Sequence, residues 1–430
     1  MKKITFVINY FYPDFDSTAQ LMTELCKELQ NDFQVSVIAA QPKKASDINK
    51  KKRLEKSQFE NMEITRILLP EVNKTSKVSR IKYIFTYFFY ANLALLKEKK
   101  VDIIYTISTP PVLGGLIGTI GKFLKRTKHV YNIQDFNPEQ AEAVSYTNKK
   151  WVFQAAKAID KLNCRYSDHI VLVGNDMGET LKTRFKNKRV PEHTVINNWT
   201  DEKDIIPLEK SNEQVANFLK QYNIDNKFIV MYSGNLGLYY DLENIIKITK
   251  EFQAYKDLVF VFIGEGAMKK QMQEFITDNH IENTMFLPFQ HKDYIKYSLN
   301  AADVHLVVNQ KGIKGVSVPS KIYGVLAAGK PIIGVLEKGS EAQRIITEST
   351  SGIVVEPQDY KMLIRTIKEV YDLHVDKRKQ LGLNGRSYLD QYLKREISIE
   401  KYQRLLQHIS TETSVYVEET SVKIPVEHKN

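Results

Sequence analysis

Only two cysteines, Cys26 and Cys164, occur in 430 residues, too few for a disulfide framework, which points to a reducing compartment and to thiols placed in the core. No stretch supplies the roughly 20 apolar residues that a membrane-spanning helix needs. The opening MKKITFVINYFYPDF has two lysines and an apolar run. That run alternates with polar residues, meets Pro13-Asp14 and lacks a small-residue cleavage site, so it reads as a first buried strand rather than a secretory signal. A recognisable nucleic-acid-binding module is missing too. The net charge of +11 is therefore left to another acidic partner, such as anionic lipid or a sugar diphosphate.

What is present is ordinary soluble composition, 43% hydrophobic and 26% charged, at a length that suits two domains with their own cores. In the first half, β-rich runs alternate with helical stretches: KITFVINYF, QVSVIAA, VDIIYTI, HVYNIQD, DHIVLVG and HTVIN. That alternation predicts a doubly wound parallel sheet, with ligands at the carboxyl ends of its strands. Tyr10 to Ala19, Thr109 to Gly115 and Gln134 to Glu139 would line one crevice, with Tyr12, Asp16, Ser17 and Thr18 as acceptor candidates. After Asn197-Asn198-Trp199 a polar interval to about Lys227 reads as a hinge. The pattern then restarts as FIVMYSGN, LVFVFIGEG, TMFLPF, DVHLVV, KPIIGVL and GIVVEP. The expected division is 1–205 for the first domain, 206–385 for the second, 386–410 for a helix crossing back to the first, and 411–430 for a polar tail.

Residues 79–98 are predicted to form a helix. On it Ile81, Ile84, Phe85, Phe88, Phe89, Leu95 and Leu96 share a broad face, with Tyr83, Tyr87 and Tyr90 opposite and lysines at both ends. Further lysines cluster between Lys43 and Lys56. Such a helix suits either an anionic membrane interface or a place on its own sheet with solvated lysines around it.

The stretch GVSVPSKIYGVLAAGKPIIG, Gly315 to Gly334, carries the strongest chemical signal. Pro319 fits a first helical turn, and Ser317 or Ser320 can cap it. A helix then runs from about Ser320 to Ala328 until Gly329-Lys330-Pro331 stops it. A loop entering a helix this way presents free N–H groups to phosphate, and Lys321 adds a cation in the same turn. A helix terminus alone contributes up to about 2 kcal/mol to an anion, whereas micromolar binding needs roughly 8 kcal/mol, so other groups must contribute.

SGNLGLYYDLENII from Ser233, FIGEGAMKKQM from Phe262, FLPFQHKDYIKYSLNAADVHLVV from Phe286, VPSKIYGVLAAGKPII from Val318 and GSEAQRII from Gly339 follow one another in this chain. NYFYPDFDSTAQLMTELCKEL, QDFNPE and VLVGNDMGETLKTRF precede them in matching order. Together they resemble the GT-B-fold glycosyltransferases of family four, in the bacterial branch that assembles O-antigen, capsule and related polysaccharides. The likeness spans about residues 1–405. It implies an α/β fold of two Rossmann-like domains facing a central cleft, with a nucleoside-diphosphate sugar on the second domain and an acceptor on the first. It also implies retaining transfer without a bound metal or other cofactor, positive charge and helix N–H groups neutralising the leaving diphosphate. A lipid-diphosphate-linked glycan as acceptor and a peripheral site on the cytoplasmic face of the membrane follow from the same resemblance.

The departures from that pattern are as informative. Where the family has two glutamates ahead of its Ala-Gly-x-Pro turn, this chain has Val316 and Gly324; its Gly-Arg is Gly234-Asn235, and the lysine that follows falls near Tyr240 and Asp241. Lys321 is the replacement cation, and Glu341 the candidate for a sugar or ribose hydroxyl. Gly264, Glu265, Gly266 and Phe289 would shape the base pocket, with Gly234, Asn235, Ser317, Pro319 and Ser320 around the phosphates. On the acceptor side the family's His-Asp is Gln134-Asp135, followed by Glu139. Asp135 would take the acceptor's proton or position its hydroxyl, with Glu139 as the alternative. The missing charges equally admit a non-catalytic GT-B scaffold, and an epimerase on the same fold is a third possibility.

Overall fold

The computed structural model describes residues 1–14, 16–42, 53–71, 77–144 and 149–411. Most of the basic cluster around 43–56 and the tail after Thr411 lie outside them. In the first domain, β1 (Lys3–Val7), β2 (Gln34–Ala40), β3 (Leu54–Phe59), β4 (Met62–Ile67), β5 (Ile103–Ile107), β6 (Lys128–Ile133), β7 (His169–Leu172) and β8 (His193–Val195) form one sheet. Its order is β3-β4-β2-β1-β5-β6-β7-β8. The central strands are apolar because both sheet faces are covered: every residue of β5 is buried, and Phe6 of β1 sits between Val37 and Tyr105.

Helices α1 (Ser17–Leu29), α2 (Lys77–Lys97), α3 (Leu113–Lys125), α4 (Asn137–Ala143), α5 (Lys150–Tyr166) and α6 (Asn175–Arg184) cover this sheet. α1 presents Ala19, Met22, Cys26 and Leu29 to the core at helical spacing. Both cysteines are buried and free.

The structure adds three details to these expectations. The sheet is not wholly parallel, since β3 pairs antiparallel to β4 through a turn with Glu60 at φ 52°. β3 is a polar edge strand with four exposed residues, as suits an edge, and so carries no apolar signature. On α2 the tyrosine side faces inward: Tyr87, Ala91, Ala94 and Leu95 are buried, with Tyr83, Phe88 and Tyr90 packed against them. Val78, Ile81, Phe85, Phe89 and Leu96 face outward. Lastly, the interval up to Lys227 is not all linker. Asn212 caps α7 (Glu213–Gln221) by accepting from the Gln214 and Val215 N–H groups, and Val215, Phe218 and Leu219 enter the second core.

That second domain holds β9 (Phe228–Ser233), β10 (Leu258–Ile263), β11 (Thr284–Leu287), β12 (Val304–Val308), β13 (Ile332–Val335) and β14 (Gly352–Val355). They are parallel, in the order β11-β10-β9-β12-β13-β14. Around them lie α8 (Leu242–Ile245), α9 (Lys269–Asp278), α10 (Lys292–Ala301), α11 (Lys321–Ala327), α12 (Glu341–Ser349), α13 (Tyr360–Asp372) and α14 (Val375–Tyr388). A π turn at Leu389–Leu393 separates α14 from α15 (Arg395–Thr411). α15 returns to the first domain, where Ile399, Tyr402, Leu406 and Ile409 join the core beneath α1. Asn132 donates to the Tyr402 hydroxyl at 2.9 Å. No helix among the described residues is long and apolar enough to cross a membrane.

Candidate active site

The two sheets approach each other through the loops at the carboxyl ends of their strands. Past β9 and β10, Gly234 and Gly264 adopt φ 148° and 147°. They lie so close that a Cβ on Gly264 would meet the Gly234 carbonyl oxygen at 1.9 Å, a position only glycine fills. Asn235 follows, its carbonyl accepting from the Tyr232 hydroxyl at 2.7 Å. The floor of the cleft is thus bare backbone, and Lys321 lies along it: a Cβ on Gly234 would sit 3.3 Å from the Lys321 Cε.

Lys321 opens α11. Its ammonium donates to the Tyr232 hydroxyl at 3.0 Å and stands 4.4 Å from the Tyr232 ring centre and 3.8 Å from that of Tyr240. Burial disfavours the charged amine and brings its pKa down to about 7. Pro319 is buried and Ser320 exposed at the helix start, but Ser320 makes no side-chain cap, because its own backbone is already helical and turns the hydroxyl away from the helix N–H groups.

Across the gap, the loop that leads into α11 is hydrogen-bonded to the first domain. Asp135 and Ser317 form an antiparallel bridge, the Phe136 N–H donates to the Val316 carbonyl at 2.9 Å, and the Gly315 N–H donates to Asp176 at 2.8 Å. Burial raises the pKa of Asp135, opposed by a hydrogen bond to Ser317; burial likewise raises that of Asp176, opposed by the Gly315 N–H. Asp135 also bears electrostatically on Tyr240. Asp135, Ser317, Tyr240, Lys321 and the two glycines therefore belong to one locus shared by both domains.

Several predicted residues are elsewhere or otherwise engaged. The side chain of Gln134 turns into the core, donating to Asn132 at 3.0 Å and accepting from Asn198 at 2.8 Å. Glu139 is held by Arg184 at 2.6 Å, and Arg184 also pairs with Asp160 at 2.6 Å. Arg184 and Asp160 are buried and Glu139 partly so, and both Glu139 carboxylate oxygens accept from Arg184. Glu341 is engaged by protein groups as well. Its carboxylate, 1% exposed, accepts from the Asn175 N–H and side chain, each at 2.9 Å, from Asn197 at 2.9 Å and from Arg344 at 2.7 Å. Burial opposes ionisation there, yet the Arg344 and Asn175 hydrogen bonds outweigh it and hold the carboxyl below its usual range. Both oxygens are thus engaged in joining the domains.

Glu265 is exposed and pairs with Lys269 at 2.6 Å, while Gly266 packs on the Leu236 carbonyl. Phe289 is 57% exposed, with its ring edge near Gly264, leaving a bare aromatic face beside the glycine floor. Of the acceptor candidates, Asp16, Ser17 and Thr18 sit at the start of α1, and Tyr12 stacks on Phe59 at 4.1 Å. Sequence reasoning missed Tyr232, Tyr240, Asp176, Asn175 and Asn197. Tyr240 stood near the place of an absent family cation, and that was the available signal; the other four carry no local one.

Two parallel-sheet Rossmann-like domains, joined loop to loop at the carboxyl ends of their strands, define the class: the chain has the GT-B fold. Residues 214–388 match the family model described as "Glycosyl transferases group 1". The chain is 27% identical over 351 residues to "Probable glycosyltransferase WbjE" of Pseudomonas aeruginosa, covering 80% of this chain and 84% of that one. It is 31% identical over 147 residues to "Putative colanic acid biosynthesis glycosyl transferase WcaI" of Escherichia coli K12, covering 34% and 36%. Among solved structures, Anabaena Alr3699/HepE in complex with UDP and glucose superposes with a TM-score of 0.70 at 14% identity, over 95% of this chain and 100% of that chain.

Proposed function

We propose that the chain transfers a sugar, with retention of configuration and without a metal, from a nucleoside diphosphate on the second domain to a lipid-diphosphate-linked glycan on the first. The observation that carries this reading is the Lys321 ammonium, which lies over the Gly234 backbone at the start of the helix that follows the Asp135–Ser317 bridge. Among the described residues no carboxylate pairs with it, its hydrogen-bond partner being the Tyr232 hydroxyl. A partly buried cation without a counter-ion is stabilised by an incoming anion, and a diphosphate laid along the glycine floor meets it and the amides ahead of α11 together. Positive charge so placed stabilises the leaving diphosphate in the transition state. Asp135 orients the acceptor hydroxyl, whose proton passes to a leaving-phosphate oxygen as the new glycosidic bond forms. The UDP and glucose in the HepE complex and the colanic acid role in the WcaI name lend support to a nucleotide-sugar donor and to work in bacterial surface polysaccharide assembly, capsule or O-antigen among them.

The outward ridge of α2 fits such an acceptor. Phe85 and Phe89 are 64% and 61% exposed, with Arg80 and Lys82 beside them, an arrangement that lies in an anionic membrane interface on the cytoplasmic face. The deciding experiment is a thermal-shift screen of nucleotide sugars on the full chain, followed by mass analysis of a lipid-diphosphate acceptor incubated with the donor found. A bound donor raises the unfolding temperature, and the acceptor gains one sugar. If no nucleotide sugar at millimolar concentration shifts the transition, the scaffold reading replaces this one. Sugar interconversion without an acceptor would instead identify an epimerase.

A further inference from the structure

The Lys321 ammonium is surrounded by aromatic rings where an ion-pair partner would ordinarily stand. The ring centres of Tyr232 and Tyr240 lie 4.4 Å and 3.8 Å from it, within the range of cation–π attraction. The Tyr232 hydroxyl donates its proton to the Asn235 carbonyl at 2.7 Å, which leaves a lone pair to accept from the lysine at 3.0 Å. Nearby acids are turned elsewhere. Asp241 directly follows Tyr240, but its backbone is left-handed at φ 52°, and its carboxylate accepts from Asn244 at 2.6 Å and from the Tyr360 hydroxyl at 2.5 Å. Asp135 bears electrostatically on Tyr240.

A carboxylate in the place of these rings would fix the amine equally well, but it would cancel the charge and repel a phosphate. An aromatic face fixes the amine and leaves the charge in place. We propose that Tyr232 and Tyr240 are positioning residues, a two-ring clamp that holds the Lys321 ammonium over the glycine floor for the donor diphosphate. The clamp takes the place of the second cation that Asn235 and Tyr240 do not supply. It rests on the transferase reading above for its ligand, and on the geometry alone for its existence.

The test separates the two. Acylation of Lys321 is followed by mass spectrometry from pH 5.5 to 10 on the full chain and on Tyr240→Leu, Tyr240→Phe and Tyr232→Phe, and UDP and GDP binding is measured on the same samples by calorimetry. In the wild-type chain, acylation rises with a midpoint near the value of about 7 set by burial. Tyr240→Leu keeps the burial but removes the ring that favours the charged amine, so it moves that midpoint down by about one unit and weakens the tighter nucleotide about tenfold, the equivalent of about 1.4 kcal/mol. Tyr240→Phe restores both properties, because the ring and not the hydroxyl makes the contact. Tyr232→Phe, a variant that keeps the ring but removes the hydroxyl with its bonds to Asn235 and Lys321, weakens the nucleotide about threefold. An unchanged acylation profile and affinity in Tyr240→Leu overturns the clamp while leaving the transferase reading standing. A shifted profile in a chain whose wild type binds neither UDP nor GDP removes the transferase reading and, with it, the role assigned to the rings.

Discussion

Donor affinity should depend on pH through Lys321. Its amine titrates at about 7 in the empty site, and the donor diphosphate binds the protonated form. At about 4 Å and an effective dielectric near 20, one charge pair is worth roughly 4 kcal/mol, which corresponds to about three pKa units. The bound-state pKa is then near 10. The sign follows from linkage: below 7 the amine is charged in both states and affinity is flat, whereas between about 7 and 10 the free protein must take up a proton to bind. Affinity therefore falls up to tenfold per pH unit across that window. Calorimetry with an intact nucleotide sugar, whose diphosphate has no ionisation in this range, measures this directly. In two buffers of different ionisation enthalpy at pH 8.5, the uptake of close to one proton per donor is expected. Lys321→Arg, always charged, flattens the profile, and Lys321→Met lowers affinity at pH 6 by about 10³-fold, the same roughly 4 kcal/mol. An affinity constant from pH 6 to 9 in the wild type, or a Lys321→Met variant with the wild-type profile, refutes the reasoning.

Three further outcomes are expected. Glu341→Ala leaves Arg344 without its buried partner and should lower stability by about 3 kcal/mol, the lower end for a broken buried pair because Arg344 keeps Glu348 at 2.5 Å; an unchanged urea midpoint would show that the inter-domain knot contributes nothing. Gly264→Ala, with a Cβ 1.9 Å from the Gly234 carbonyl at φ 147°, should destabilise by about 3 kcal/mol or more and abolish donor binding, and a variant that melts with the wild type and binds normally would contradict the close approach. Phe85→Glu with Phe89→Glu should abolish salt-sensitive co-sedimentation with phosphatidylglycerol vesicles and leave nucleotide binding unaltered; equal sedimentation of the variant would remove α2 from the membrane.

The layered architecture was legible because each central strand is an apolar run, as in LVFVFI of β10, and each turn into a helix has its own local chemistry. The start of α11 and the place of Lys321 could be read for the same reason. Glu341 could not. In sequence it is an acid at a helix start, ordinarily solvated, and its acceptor role is set by Asn175, 166 residues away. The pairing of Glu139 was hidden likewise, since only the fold brings Arg184 to it. α2 was legible as a helix with two dissimilar faces, but which face meets the sheet depended on Tyr87 finding a core position beside Ala91 and Ala94.

The return of α15 has a mechanical consequence. The chain passes between domains near residue 200 and again near Lys394, so the lobes are hung on two pins rather than one tether. Four side chains of α15 are buried under α1, each worth roughly 1.5–3 kcal/mol. A protease cut between 201 and 210 would therefore yield two pieces that travel together, the longer one still gripping the shorter by its tail. Any opening of the cleft must be a swing about the line through those two pins.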